Sequence, residues 1–430
     1  MKFTKHTNSL LNESYYIGKH HSGLEVVVIP KDQMTLYATF ATRYGSMDNT
    51  FKTNGSDYIT VPDGIAHFLE HKLFESEDGT DTFSRFTALG ASANAYTSNE
   101  VTSYLFSATE NYYEALEVLL DFVTHPYFSK ENVEKEMGII EQELRMYEDN
   151  PYRWMYQELL RGLYQKNTVN IPVGGTVESI HEITPEILYD CYNTFYNLNN
   201  MVLIVCGNVT LDGVEGVMDK ALKRSEPVSI DKKIADEPRE VAREYAEKTF
   251  PVAYPVFNIG LKETDLKGDG RAYIKREFEH SIIAELVFGK TSEFYNALYS
   301  EGLINQKFGT SYYSSRTWAF FIASGESRDP KAVLERIKKE LELWREGGRK
   351  ISSEAFERAK RVLYSASVQA WNSTTDIAEG FLDYYLAGAD VLELPEVLSS
   401  ITVEDIERRL KTSYDTELMS MTVAKPEQKA

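Results

Sequence analysis

The feature that most limits the fold is a stretch that occurs twice. Ile183-Thr184-Pro185-Glu186 through Thr194-Phe195-Tyr196 returns as Ile401-Thr402-Val403-Glu404 through Thr412-Ser413-Tyr414, an offset of 218 (402 − 184) in a chain of 430 residues. Thr184 reads as the cap of a helix through Tyr196. An apolar strand follows each copy, Met201 to Val209 and Leu418 to Ala424. Similarity at half the chain length predicts two related halves. The charged stretch Glu226 to Lys248 between them reads partly as linker. The division that follows is a module over residues 1–228, a linker over 229–247 and a second module over 248–430.

Periodicity fills in both halves. Gly23 to Pro30 and Leu36 to Arg43 read as strands, with Gly45 to Asp63 as a polar loop. Thr82 to Leu89 reads as a short helix, and Gly90 to Ala108 as two strands joined around Ser98-Asn99-Glu100. The first of these has small side chains, which lets another backbone approach, so it could take an extended peptide as an added strand. Asn111 to Thr124 and Lys130 to Asp149 read as helices, the second closed by Asn150-Pro151. The second half has strands over Val256 to Lys262, Gly309 to Tyr313 and Trp318 to Ser324. Its helices run over Ala272 to Phe288, Pro330 to Glu346 and Ser353 to Trp371.

The chemistry concentrates in Gly64 to Phe74. No Pro or Gly interrupts Ile65 to Phe74, and Ile65, Leu69 and Leu73 form an apolar stripe at i, i+4, i+8. Pro62-Asp63-Gly64 supplies a helix start, with Asp63 near the N-terminus. His67 and His71 are one turn apart and can converge on a single tetrahedral metal ion. Glu70 sits beside them, placed to take a proton from water without being a ligand. This is the H-x-x-E-H order, the reverse of H-E-x-x-H. The alternative is a surface helix with two satisfied histidines.

A metal site needs a third ligand from elsewhere. Most glutamates of the Lys130 to Asp149 helix face solvent. Glu136 and Glu143, seven apart, share a face, whereas Glu141 points roughly opposite to Glu143. The adjacent pair His20 and His21 point to opposite faces of any strand and read as exposed turn residues, poor joint ligands. Gly174-Gly175-Thr176 is a turn, with no lysine in the phosphate-loop position. Setting Leu73-Phe74 on Val287-Phe288 puts Ser281, Ala284 and Glu285 where His67, Glu70 and His71 stand. The second half therefore lacks the motif, and His280 alone reads as a core or surface histidine.

The net charge of −20 argues against nucleic acid, since phosphate binding needs clustered Lys and Arg. No run of eighteen apolar residues predicts a membrane span. The N-terminus leads into polar sequence with no apolar signal region, and the only cysteines, Cys191 and Cys206, fall in apolar surroundings as buried thiols. The expectation is a cytoplasmic protein.

With the His67-x-x-Glu70-His71 helix, the distal charged helix, the Asn94-Ala95-Tyr96-Thr97 strand and the doubled architecture together, the chain resembles the pitrilysin/insulinase family of zinc peptidases, the inverzincins. It most resembles the short-chain branch that includes processing peptidases, over essentially the whole chain. The resemblance implies an α+β fold of two structurally similar halves, each a mostly antiparallel sheet with helices packed on one face. It implies one Zn2+ per chain held by His67, His71 and Glu143, with Glu141 the alternative ligand, Glu136 in support and Glu70 as general base. Asn94, Ala95, Tyr96 and Thr97 would pair with an unfolded peptide substrate inside an enclosed chamber. Active members usually carry an Arg and a Tyr in the C-terminal region to grip substrate. Here Tyr299 and Asn305 occupy those positions, with Arg316 and Tyr312 or Tyr313 as weaker substitutes. The pair is thus expected from another subunit, in a homodimer or heterodimer with a related chain. A non-catalytic structural subunit is the competing expectation.

Overall fold

The computed structural model describes residues 1–427. The chain forms two compact units. The first comprises Met1–Arg145, Ile171–Lys233 and Ala370–Leu386, and the second comprises Met146–Asn170, Ile234–Gln369 and the chain from Ala387 onward. Each unit thus takes one helix from the other half of the sequence, Thr374–Leu386 in the first and Pro151–Leu163 in the second.

The first unit is built from β1 (Phe3–Asn8), β2 (Glu13–Lys19), β3 (Glu25–Pro30), β4 (Leu36–Thr42), β5 (Thr50–Thr53), β6 (Ile59–Thr60), β7 (Ser92–Thr97), β8 (Thr102–Ala108), β9 (Met201–Gly207) and β10 (Ile230–Lys232). Seven of them make one sheet in the order β1-β2-β3-β9-β4-β8-β7, and β10-β5-β6 form a small second sheet. All neighbours in the large sheet are antiparallel except β3 and β9. Every residue of β4 and β9 is buried, so the centre of the sheet is covered on both faces. The main helical layer lies on the face of Val26, Val28, Ala38 and Phe40. On the other face, Tyr37 donates to Glu379 and Tyr15 packs edge-on to Phe381, both partners on the helix Thr374–Leu386.

The second unit contains β11 (Tyr245–Phe250), β12 (Val256–Lys262), β13 (Gly309–Ser314), β14 (Ala319–Glu326) and β15 (Met419–Pro426), in the order β11-β15-β12-β14-β13. This repeats β3-β9-β4-β8-β7 strand for strand, including the one parallel pair, here β11 with β15. Equivalent strands begin between 217 (309 − 92) and 220 (256 − 36) residues apart. The repeated helices, Pro185–Phe195 and Val403–Ser413, are both capped by their threonine, Thr184 and Thr402. The repeat read from short sequence matches is therefore a repeat of five strands, to which the first sheet adds β1 and β2.

Some elements differ from expectation. The loop Gly45 to Asp63 contains β5 and β6, and the stretch read as linker contributes β10 and β11. These strands are short or edge strands, where alternation is too brief to read. Asn150-Pro151 closes one helix and also starts the next: the Asn150 side chain accepts from the amides of Tyr152 and Arg153 at 3.0 and 3.2 Å. In the second unit the helix Arg271–Ile283 starts 206 residues after the helix Ile65–Lys72 (271 − 65), each behind a glycine with positive φ, Gly270 and Gly64. That register places Tyr273, Arg276 and Glu277 opposite His67, Glu70 and His71, instead of Ser281, Ala284 and Glu285. In either register the second unit has no histidine pair. His280 is a core histidine, stacked on Tyr312 and hydrogen-bonded to Glu263 and Tyr414.

Candidate metal centre

Helix α1 spans Ile65–Lys72. Ile65, Ala66, Phe68 and Leu69 bury its inner face, with Leu73 beyond its end. The opposite face carries His67, Glu70 and His71, all half-buried. The sequence Gly64, left-handed at φ +89°, starts the helix without a side-chain cap. Asp63 is not the cap: its carboxylate accepts from Asn49 at 2.6 Å. A Cβ on Gly64 would stand 2.3 Å from the Gly174 carbonyl, and one on Gly175 would stand 2.3 Å from the Asp63 carbonyl. The turn at Gly174-Gly175 thus interlocks with the start of α1, a role the sequence left unread. Gly64→Ala is expected to destabilise the protein by about 2–4 kcal/mol, from the left-handed backbone and the clash together. A thermal melt checks this, and an unchanged midpoint would contradict the interlock.

With α2 (Thr82–Ala88) and α3 (Tyr112–Thr124) between them, α4 (Lys130–Glu148) brings in the acids. Ser129 and Asn132 cap it reciprocally, at 2.9 and 3.2 Å. Val133, Glu136, Ile140 and Leu144 form its buried stripe, and Glu143 stands beside that stripe. The two helices are tied by Lys72, a fully buried lysine that donates to Glu75 at 2.5 Å and to the Asn132 carbonyl at 3.2 Å. A lysine at i+7 from Ile65, on the apolar side of α1, was the signal that could have revealed this tie.

His67, His71 and Glu143 come together with one donor atom from each, all within 4.8 Å of one another. His67 Nε2 lies 4.0 Å from Glu143 Oε1, and His71 Nε2 lies 3.6 Å from Glu143 Oε2. His71 Nδ1 meets Glu136 Oε1 at 2.9 Å. With Nδ1–H donating to Glu136, the Nε2 lone pair faces the cluster. Two imidazoles and a carboxylate are a set that could hold a zinc-type cation. Glu141 is turned away, bound to Arg145 and His181.

Electrostatics follow burial and neighbours. Burial raises the Glu70 carboxyl above its usual range, against the opposing hydrogen bond from Thr97 and the charge of His71. Burial disfavours charge on His71, but the Glu136 hydrogen bond and the surrounding carboxylates outweigh it and raise the imidazole net. Burial likewise works against ionised Glu136, and the His71 bond overcomes it to hold that carboxyl low.

The strand residues lie close by. β7 ends the sheet, paired only with β8. Its last residue, Thr97, donates to Glu70 Oε2 at 2.6 Å. Tyr96 donates to Glu379 Oε2 at 2.6 Å, so the helix Thr374–Leu386 anchors the strand, an anchor invisible from sequence. Asn94 is exposed and Ala95 half-buried. Of the residues weighed for substrate grip in the second unit, Tyr312 is occupied by its stack on His280, Asn305 by Glu326, and Tyr299 by Tyr295, while Arg316 and Tyr313 are exposed. Cys191 and Cys206 are free buried thiols, each pushed up to about 12 by burial. No helix among the described residues is long and apolar enough to cross a membrane.

A doubled α+β fold with an inverted histidine–glutamate motif set against an edge strand is that of a metallopeptidase scaffold. Residues 54–177 match the insulinase (peptidase family M16) model, and residues 182–363 match that of the peptidase M16 inactive domain. The chain belongs to peptidase family M16. It is 37% identical over 421 residues to an uncharacterized zinc protease, YmfH, of Bacillus subtilis, covering 97% of each chain. The solved structure of an M16-like peptidase from Alicyclobacillus acidocaldarius has 35% identity and a TM-score of 0.91 over 99% of both chains. The mitochondrial-processing peptidase subunit beta of Caenorhabditis elegans is 24% identical over 80% of this chain and 77% of its own.

Proposed function

We propose that the chain is a zinc metalloendopeptidase of unfolded peptides, the zinc-bearing subunit of a dimer that encloses its substrate in a chamber. The observation that carries this is the convergence of His67, His71 and Glu143 within 4.8 Å beside Glu70, at the end of an open strand edge. His67, His71 and Glu143 would hold one zinc ion. Bound there, zinc would supply a Lewis acid that polarises a carbonyl and acidifies water. Glu70 takes the proton of the attacking water and passes it to the leaving amine. Glu136 holds the His71 ring in the tautomer that presents Nε2. An extended peptide adds to β7 at Asn94 to Thr97 through backbone bonds, which tolerates many sequences.

Thr97 tunes the base. Its hydroxyl bond favours ionised Glu70, and only the ionised form accepts a proton. Thr97→Val is expected to raise the Glu70 pKa, so that activity fails at a higher pH as acid is added, with zinc content unchanged. The acid limb of the kcat/KM profile measures this; an unmoved limb would assign Thr97 to packing alone.

The partner follows from Tyr299 and Asn305, which stand where the family's gripping Arg and Tyr are expected. A related chain would supply that pair, and a relative named as a processing-peptidase subunit accords with such assembly. The same two residues favour the second reading, a structural subunit without activity. The cytoplasm is the proposed location, and residues 229–247 the proposed junction of the two duplicated modules. The test is hydrolysis of a quenched, unstructured peptide in micromolar zinc, with and without chelator, by the chain alone and with its captured partner. Chelator-sensitive cleavage supports the peptidase. A metal-free protein after purification in excess zinc, inert with every partner, overturns it.

A further inference from the structure

Of the expectation that His20 and His21 are exposed turn residues, the turn and the exposure of His21 hold, but His20 is buried. They stand in the turn between β2 and β3, which is closed by the His20 amide on the Leu24 carbonyl at 2.8 Å and the Gly23 amide on the His20 carbonyl at 2.9 Å. His20 is buried and His21 is 64% exposed, yet their rings are 4.0 Å apart. Because the residues lie in a turn, the strand rule that sends neighbours to opposite faces does not apply. Both reach one carboxylate oxygen, Asp219 Oδ1, on the helix Leu211–Ala221: His20 Nε2 at 3.0 Å and His21 Nδ1 at 3.4 Å.

We propose that His20, His21 and Asp219 form a second divalent transition-metal site, of the zinc, cobalt, nickel or copper class, separate from the α1–α4 cluster. Three donor atoms, one per residue, lie within 4.8 Å of one another. A tetrahedral ion with bonds of about 2.0–2.1 Å spaces its ligand atoms about 3.4 Å apart, close to the two spacings found. Two imidazoles and one carboxylate suit this metal class and not calcium or magnesium, which take oxygen ligands. Ser22, wholly buried, backs the site: its Oγ lies 2.8 Å from His20 Nδ1 and its amide nitrogen 3.3 Å. Without metal, His20 Nε2–H donates to Asp219 and Nδ1 accepts from Ser22. On binding, the ring proton sits on Nδ1 and donates to Ser22 Oγ, the long 3.3 Å bond from the Ser22 amide to Nδ1 is given up, and the Nε2 lone pair is freed, with no net change in protons on His20. The exposed sides of His21 and Asp219 leave the remaining coordination to water. Such an ion pins the β2–β3 turn to the helix Leu211–Ala221.

The proposal is independent of the peptidase reading, and its test removes the first cluster. The full-length double variant His67→Ala/His71→Ala is titrated with Zn2+ against a chromophoric chelator, and with Co2+ for its visible absorption. One equivalent is expected to bind, to raise the thermal midpoint, and to be lost when either His21→Ala or Asp219→Asn is added. Both of these side chains are exposed, and metal-free melts of the variants verify that they fold. Ser22→Ala should weaken binding about tenfold. A double variant that binds no equivalent overturns the site, as does an equivalent that survives either added substitution. If the α1–α4 cluster binds no zinc, the wild type and the double variant bind alike, which separates failure of the peptidase reading from failure of this one.

Discussion

Glu70→Gln is expected to keep the zinc content of the wild type and to lower peptide hydrolysis by about 10³-fold or more. The side chain lies beside the metal-ready cluster but outside it: His67, His71 and Glu143 are the three groups whose donor atoms converge. Its carboxylate is instead held by Thr97 at 2.6 Å, at the end of the strand edge where a peptide would lie. Glutamine preserves that shape and can still accept from Thr97, but it cannot take a proton at neutral pH. General-base removal typically accounts for about 10²–10⁴ in rate, and 10³ corresponds to about 4 kcal/mol of transition-state stabilisation. The measurement is kcat/KM on the quenched peptide beside zinc per chain by elemental analysis. Cleavage at the wild-type rate would show that Glu70 is not the base. Zinc loss in this variant would instead make it a ligand, against the geometry.

The fold was legible where periodicity is long and chemistry is local. Ile65, Leu69 and Leu73 fell on the buried side of α1 as their spacing required, and β12 occupies the predicted residues Val256–Lys262. The doubled sheet could be read from one repeated helix and strand because that strand is interior to its sheet in both units, wholly buried in β9 and buried over Met419 to Ala424 in β15. What escaped detection is held by contacts distant in sequence. Glu379 reaches Tyr96 across 283 positions, and nothing near either residue announces the other. The Gly64–Gly174 contact is backbone against backbone, so the only trace in sequence is a glycine at each end. The second-half register differs because the match was made at the helix ends, Leu73-Phe74 on Val287-Phe288, while the second helix, Arg271–Ile283 continuing through a π-helical turn to Phe288, is longer than α1, so matching the ends misplaces the starts. His20 and His21 were judged by a strand rule while standing in a turn.

The fold also explains why chemistry in one unit can be absent from its copy. The strand order, the parallel pair and the threonine-capped helix are preserved in both, since each serves the core. The half-buried face of α1 serves no core. In the second unit the corresponding helix has turned that face inward: Tyr273 and Glu277 both contact Ser314, at the end of β13, as Glu70 contacts Thr97 at the end of β7. A polar link between helix and edge strand thus persists, while the histidine pair does not.

The same reasoning sets apart two glutamates that composition cannot distinguish. Glu143→Ala is expected to abolish tight zinc binding and bring hydrolysis to background, whereas Glu141→Ala leaves both within about twofold. Glu143 offers an oxygen to each histidine, at 4.0 and 3.6 Å, and its loss leaves only two imidazoles on one helix. Three protein ligands are the usual complement of a catalytic zinc, so the expected loss is of binding itself. Glu141, two residues earlier, is about 200° around the helix and spends its oxygens on Arg145 and His181. Exposed pairs of this kind contribute too little to disturb α4. Zinc per chain and kcat/KM, measured on both variants, decide the assignment. If Glu141→Ala were the variant that loses zinc, α4 would have to rotate on metal binding, and the tie from Lys72 to Asn132 and the His71–Glu136 bond would both have to break with it.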